Sequence, residues 1–318
     1  MKRCLILTLL SLISIDGFCR SIKDKHCDTL VCGYMYPNRL DDIAWESDKI
    51  GFRVYGKPNL EEGNRLYGYD IFTKRGRNPV LKELYRVQLS PENQAKLAEL
   101  KKQDTEAAQL FADSISFHID HGKGMDYYPV GPTLGCGTAA LVVNEKTIYP
   151  TYYSKYEILE NGPKRFKLLL EFDPVIIDSE RVVEQRVITL DAGSHFNKIE
   201  VQYKGVTKPH KVIVGIVLHD KAEKYQITKN TIAYAEPMHQ KGWQTYNAVI
   251  FDKKMRGVLD LFDEEERSMH GGAYGHIQAE GVYLPNTTLT YYMGAGWNGW
   301  GFNTADEWFD YVKKQITN

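Results

Sequence analysis

The chain has 318 residues, 40 Lys and Arg against 41 Asp and Glu, and a formal net charge of −1. Its residues are 43% hydrophobic and 25% charged, globular values that exclude a disordered, collagen-like or polytopic membrane chain. Near-neutral charge supplies no broad basic field, which argues against a general nucleic-acid binder.

The first residues have the layout of an export signal. Lys2 and Arg3 precede an apolar run from Cys4 to Ile15. The run is too short for a bilayer span of about 20 residues. It fits a signal-peptide core, with Gly17 and Cys19 as the small residues before cleavage at Arg20. Residues 1–19 are therefore expected to be a signal peptide, with 20–318 as one mature domain outside the cytoplasm, periplasmic or secreted. Phe18 stands where a lipid-attachment motif wants a small residue, so lipidation of Cys19 is disfavoured. Cleavage leaves Cys27, Cys32 and Cys136, an odd number that cannot all pair internally. Cys136, in Gly-Cys-Gly, reads as a small packed residue.

Most of the mature chain reads as antiparallel β. Segments 29–36, 50–55, 138–143, 153–160, 165–172, 181–190, 195–203, 211–218, 245–251, 273–279 and 288–294 are short and rich in Val, Ile, Tyr and Thr. Turn residues separate them, as in Asn161-Gly162-Pro163 and Asp191-Ala192-Gly193-Ser194. Ser90-Pro91 opens a helix expected to run to about 111. Thr304 and Glu307 predict a capping box for a last helix to 316, with Trp308, Phe309, Val312 and Ile316 on one face. The fold class expected is mostly β: a large antiparallel β-sandwich with two or three peripheral helices.

The densest chemical cluster is FHIDHGKGMDYYPVGPTLGCG, from Phe117 to Gly137. It carries His118, Asp120, His121, Asp126, Tyr127 and Tyr128 among glycines, which let a loop approach a ligand closely. Three readings stay open. His118, Asp120 and His121 are a candidate ligand set for a divalent metal, although no cofactor is required by the sequence. A His or Tyr is a candidate acid or base acting on a sugar. The polar groups also suit a loop pinned by hydrogen bonds. A second cluster holds His276, Glu280, Trp297 and Trp300, whose indoles could stack on sugar rings. His219 ends an apolar strand, and Arg75 and Arg165 could each hold a carboxylate. No Gly-x-Ser-x-Gly elbow, phosphate loop or dinucleotide fingerprint is present, which removes serine-hydrolase and nucleotide readings.

The segments DDIAWESDKIGFRVYG, YGYDIFTKRGR, FHIDHGKGMDYYPVGPTLGCG and ILENGPKRF occur in this order. Together they resemble the bacterial domain-of-unknown-function family 4861. The resemblance implies an exported protein encoded among polysaccharide-utilisation genes, with a galactose-mutarotase-like β-supersandwich. Its signature covers His118, Asp120, His121, Gly122, Gly124, Met125, Asp126, Tyr127 and Tyr128. Lys123 departs from it, standing where many members have an acidic residue.

The leading expectation is a carbohydrate-active enzyme, a lyase that cleaves uronate-containing glycans by β-elimination. His118 or His121 would be the base, Tyr127 or Tyr128 the acid, and Arg75 and Arg165 the carboxylate partners. The expected partner is an oligo- or polysaccharide containing uronic acid, with no nucleic acid and no nucleotide. The alternatives are a glycoside hydrolase using acids such as Asp120, Asp126, Asp220 or Glu280, an aldose epimerase with Glu280 as base, and a non-catalytic sugar-binding protein.

Overall fold

A computed structural model describes residues 29–316. The expected signal segment, its cleavage point and Cys27 lie outside these residues. The described strands, in chain order, begin with β1 (Cys32–Tyr36), β2 (Asp42–Glu46), β3 (Gly51–Val54) and β4 (Asp70–Phe72). They continue with β5 (Cys136–Val143), β6 (Lys146–Ile148), β7 (Tyr153–Asn161), β8 (Arg165–Phe172), β9 (Val175–Ile177), β10 (Glu180–Asp191) and β11 (Phe196–Lys204). The remainder are β12 (His210–Leu218), β13 (Tyr225–Ile227), β14 (Thr231–Ala235), β15 (Thr245–Phe251), β16 (Arg256–Leu261), β17 (Gly275–Tyr283) and β18 (Leu289–Trp297). The helices are α1 (Pro58–Glu61), α2 (Leu81–Leu89), α3 (Pro91–Gln103), α4 (Thr105–Ile115), α5 (Glu264–Met269) and α6 (Ala305–Ile316).

Three antiparallel sheets result. The large one runs β13-β14-β15-β18-β11-β10-β8-β7, with β9 paired to β10. The second runs β16-β17-β12-β5-β6, and the N-terminal sheet runs β1-β2-β3-β4. Alternation along the strands decides which face is covered. Leu168, Leu170, Ile188, Leu190, Ile199, Val201, Tyr291 and Met293 point inward from the large sheet. They share one core with Ala139, Leu141, Val212, Val214, Ile216, Ile277 and Ala279 of the second. Trp45, Phe52 and Ile71 bring the N-terminal sheet into the same core. The chain is thus mostly β, a large antiparallel sandwich, as its composition and turn spacing predict.

Each expected strand has a counterpart, whereas β2, β4, β6, β9, β13, β14 and β16 are additional. The helices are more numerous than the expected two or three. The single helix expected over 90–111 is two, because Asp104 is extended and its Oδ1 accepts the Ala107 amide at 2.9 Å, capping α4. α2 starts without a cap of its own. Glu46 of β2 supplies one from across the fold, accepting the Val80 and Leu81 amides at 2.9 and 2.8 Å. At α6, Thr304 Oγ1 accepts the Glu307 amide at 3.2 Å, while Glu307 returns to the Asn303 amide at 2.7 Å. Trp308, Phe309 and Val312 bury that helix against the outer face of the large sheet.

Candidate functional site

Antiparallel pairing brings the chemistry to one end of the sandwich. Trp297 at the end of β18 pairs with Thr245 at the start of β15. Leu218 at the end of β12 pairs with Gly275, and Ile216 with Cys136. The segments that leave these ends, 116–135, 219–224, 236–244 and 298–304, therefore meet.

The His-Asp-rich loop is laid down as an extra strand on residues 73–75. Thr73 and Met125 exchange backbone bonds at 3.0 Å, and the Arg75 amide donates to Lys123 O at 2.9 Å. Gly124 permits this approach: its φ is +99°, and a Cβ there would lie 2.1 Å from Thr73 O. Asp120 closes the loop tip. Its Oδ1 accepts the Gly122 and Gly124 amides at 2.9 and 3.0 Å, and its Oδ2 accepts Arg75 Nε at 2.7 Å. Burial alone would raise its pKa, but Arg75 and the two amides hold it below the ordinary carboxylate range.

His118 Nδ1 donates to the carbonyl of Asp126 at 2.9 Å, and its side chain is half exposed. A carbonyl only accepts, so the proton is on Nδ1 and the neutral ring presents Nε2 as a lone pair to solvent. His121 turns away, its Nε2 donating to Asp113 O of α4 at 3.0 Å. His118, Asp120 and His121 thus serve three separate partners. Among the described residues no group of three His, Cys, Asp or Glu is placed to hold a metal ion.

Arg75 is the most constrained cation of the loop cluster. Besides Asp120, it donates from Nη1 to Gly299 O at 2.5 Å and lies 4.8 Å above the Trp297 ring. Trp297 itself is 0% exposed and donates to Lys74 O at 3.0 Å. It is a support for Arg75, not the open stacking face its sequence suggests. Trp300, 39% exposed, keeps an accessible ring. Asn298 ties the neighbouring loop in, accepting the Gln244 amide at 2.8 Å and donating to Gly242 O at 2.7 Å. On that loop His239 and Trp243 stack at 5.4 Å, and both meet Tyr127, at 6.0 and 6.2 Å. Lys241 reaches to 5.5 Å from the Trp243 ring. Contacts thus run from Asp120 through Arg75 to Gly299, and through Asn298 to the loop whose His239 and Trp243 meet Tyr127, a circuit of loops that also carries His118.

Tyr128 is buried and sits edge-on to His219 at 5.6 Å. His219 Nδ1 donates to Glu236 Oε2 at 2.6 Å, and Nε2 donates to Pro129 O at 2.8 Å. Burial works against the imidazolium, but the Glu236 carboxylate outweighs it and raises the His219 pKa. With both ring nitrogens donating, His219 is a clasp between β12 and the loop rather than a free base. Asp220 accepts Tyr234 Oη and the Ala222 amide at 2.9 and 2.8 Å.

Beneath the loop lies a buried ionic hub. Arg53 Nη2 donates to Asp126 Oδ2 at 2.6 Å, and Arg53 also pairs with Asp70. Tyr55 donates to the same Asp70. Asp42 lies 3.7 Å from Arg53 Nη1, with neither carboxyl oxygen hydrogen-bonded. Burial pushes Asp42 up to about 7 and Asp70 up to about 6, against the pull of Arg53.

Other expected residues stand apart. Arg165 is exposed and held bidentately by Asp191 at 2.6 and 2.9 Å. Glu280 lies on the outer face of the second sheet, paired with Lys211 at 3.0 Å. His276 is buried, its Nε2 accepting the Leu134 amide at 3.1 Å, and burial pushes its pKa down to about 3. Cys136 is buried with its thiol pKa raised by burial, which fits a packing residue. Sequence reasoning passed over Arg53, Asp70, Glu236, His239 and Trp243. The one available signal was Arg53, a charge inside an otherwise apolar strand.

The matching family model covers residues 21–318, and the chain belongs to that family, the domain of unknown function DUF4861. The resemblance carried by the four segments is thereby borne out. The chain is also similar to Uncharacterized protein P7 of Formosa agariphila, at 24% identity over 95% of this chain and 70% of that protein. Two solved structures resemble part of it. A heparan sulfate lyase, HepC, from Pedobacter heparinus matches 64% of this chain and 42% of its own, at 7% identity and a TM-score of 0.34. A GH36 alpha-galactosidase, AgaA, from Geobacillus stearothermophilus matches 80% and 40%, at 8% identity and a TM-score of 0.33. The chain spans under half the length of either structure.

Proposed function

We propose that the protein is an exported carbohydrate-active enzyme that cleaves an acidic glycan by β-elimination at the loop circuit around His118. One observation carries the reading: His118 offers an open Nε2 of fixed tautomer on the loop whose Asp120 clamps Arg75. His118 takes the proton from C5, α to the uronate carboxylate. That electron pair forms the C4–C5 double bond as the C4–O bond breaks. Arg75 supplies positive charge for the carboxylate while its negative charge builds. Its Nη2 has no hydrogen-bond partner among the described residues. Tyr127, whose phenol burial keeps protonated, is the donor to the leaving oxygen. Trp300 and Trp243 offer rings for sugar faces. Lys241 adds a cation on the facing loop, in keeping with an acidic substrate. Residues 1–19 act as the export signal in this reading.

Hydrolysis by paired carboxylates has less support. Asp120 and Asp126 are each bound to an arginine, and Glu280 is on an outer sheet face. The same position of Glu280 weakens an epimerase that would use it as base.

The test is incubation with pectic, ulvan-like and glycosaminoglycan polymers, followed by ultraviolet absorbance. The expected result is a rise from the new double bond, reduced by about 10²-fold or more in His118→Ala. Saturated products by mass spectrometry, or binding without any product, would overturn the lyase reading.

A further inference from the structure

The outer face of the large sheet carries a second surface, remote in composition from the loop circuit. Thr189, Lys198, Tyr292 and Ile250 lie side by side on β10, β11, β18 and β15, in direct cross-strand register. Their neighbours along each strand, such as Ile188, Ile199, Tyr291 and Val249, face the core, so this row faces outward. α6 covers the sheet only up to this row, and its Gln315 stands at the edge. What remains is a groove of about 530 Å³. Asp191 and Ser194 form one rim, and Asn230 and Asp252 the other.

The chemistry of the groove is specific in two respects. Its floor has an aromatic ring, Tyr292, partly exposed and backed by the apolar packing under α6. Its walls offer hydroxyl, amide and carboxylate groups. An apolar face with hydrogen-bonding edges is what a pyranose ring presents in return. The cations are already neutralised. Lys198 is bound to Glu200 at 2.9 Å and feels Asp252, while Asp191 is matched by Arg165. No uncompensated positive charge lines the groove for an acidic ligand. The volume falls in the range of about 300–1,000 Å³ typical of small-ligand sites.

We infer that this groove is a binding subsite for an uncharged oligosaccharide segment, stacked on Tyr292. It is independent of the reaction proposed above: a chain lacking His118 keeps the groove intact. It would hold a neutral stretch of glycan while the loop circuit takes an acidic one.

Isothermal titration calorimetry on the full chain tests it, with neutral gluco-, manno-, xylo- and galacto-oligosaccharides against uronate oligosaccharides. At least one neutral series should bind. Tyr292→Ala should weaken that binding about tenfold or more, which corresponds to about 1.4 kcal/mol. Tyr292→Phe and His118→Ala should preserve it, and Asn230→Ala should weaken it by removing a rim amide whose Nδ2 also donates to Phe251 O at 3.0 Å. The inference is overturned if no neutral series binds at millimolar concentration. It is equally overturned if binding survives both Tyr292→Ala and Asn230→Ala, or if only uronates depend on Tyr292. A Tyr292-dependent dimer in light scattering, with no sugar bound, would also overturn it by assigning the face to a second copy.

Discussion

Arg53 and Asp126, 73 residues apart, join the N-terminal sheet to the loop that presents His118. The Asp126 carboxylate accepts from Arg53 Nη2 at 2.6 Å, while its carbonyl accepts from His118 Nδ1 at 2.9 Å. One aspartate therefore anchors the loop and sets the imidazole tautomer. Removing Arg53 would leave the carboxylates of Asp70 and Asp126 buried and unpaired. Arg53→Met should cost roughly 3–5 kcal/mol of stability, the usual cost of breaking one side of a buried pair. Denaturant unfolding measures it. A change under about 1 kcal/mol would show that the hub is not holding the fold.

Gly124 tests the loop without touching any charge. A Cβ at this position meets Thr73 O at 2.1 Å, whereas one at Gly122 meets nothing within 4 Å. Both have positive φ, +99° and +84°. Gly124→Ala should therefore be clearly the more damaging, by roughly 1–3 kcal/mol, since strain and clash combine. Equal melting temperatures for the two variants would contradict the pairing of 123–125 with 73–75.

Asp42 gives a pH dependence of one sign. Burial raises its pKa to about 7 in the folded chain, against about 4 unfolded. A raised carboxyl pKa means that the folded state holds the proton more tightly. Its contribution is full below about pH 4 and is lost as pH rises through about 7. Asp42→Asn cannot ionise, so it should gain melting temperature relative to wild type as pH rises from about 4 to about 7. A difference that does not change with pH would rule out a buried, ionising Asp42.

His276 gives the opposite sign. Its folded pKa is pushed down to about 3 by burial, against about 6.5 unfolded. The contribution is full above about pH 6.5 and is lost as pH falls toward 3. Wild type should lose stability through this range, and His276→Gln should lose less of it. Thermal melts of both at matched ionic strength are the measurement. The readout also reports on Leu134, whose amide the ring accepts at 3.1 Å.

Arg75 should act on substrate through charge and shape together. Its guanidinium is fixed by Asp120, Gly299 O and the Trp297 ring. Arg75→Lys keeps the charge but loses the planar fork. For an acidic polymer the expected outcome is a raised KM and a lowered kcat, with neutral oligosaccharide binding at Tyr292 unaltered. Unchanged kinetics would remove Arg75 from the site.

Much of this molecule could be read from residue order. Alternating Val, Ile, Tyr and Thr with Gly, Pro and Asn turns set the strands, because each strand must bury one face. Ser90 and Thr304 marked true helix starts, since a cap is a local hydrogen bond. The His-Asp-Tyr loop stood out because core strands rarely carry so many polar side chains and glycines together. Tertiary structure alone decided partners and exposure. It buried Trp297 beneath Arg75, sent Arg165 and Glu280 to outer surfaces, and paired His219 with Glu236 and Arg53 with Asp126. Those outcomes depend on which strands become neighbours: β18 lies between β15 and β11, and β12 between β17 and β5. Local periodicity says which face of a strand is apolar, but not which distant strand will lie beside it.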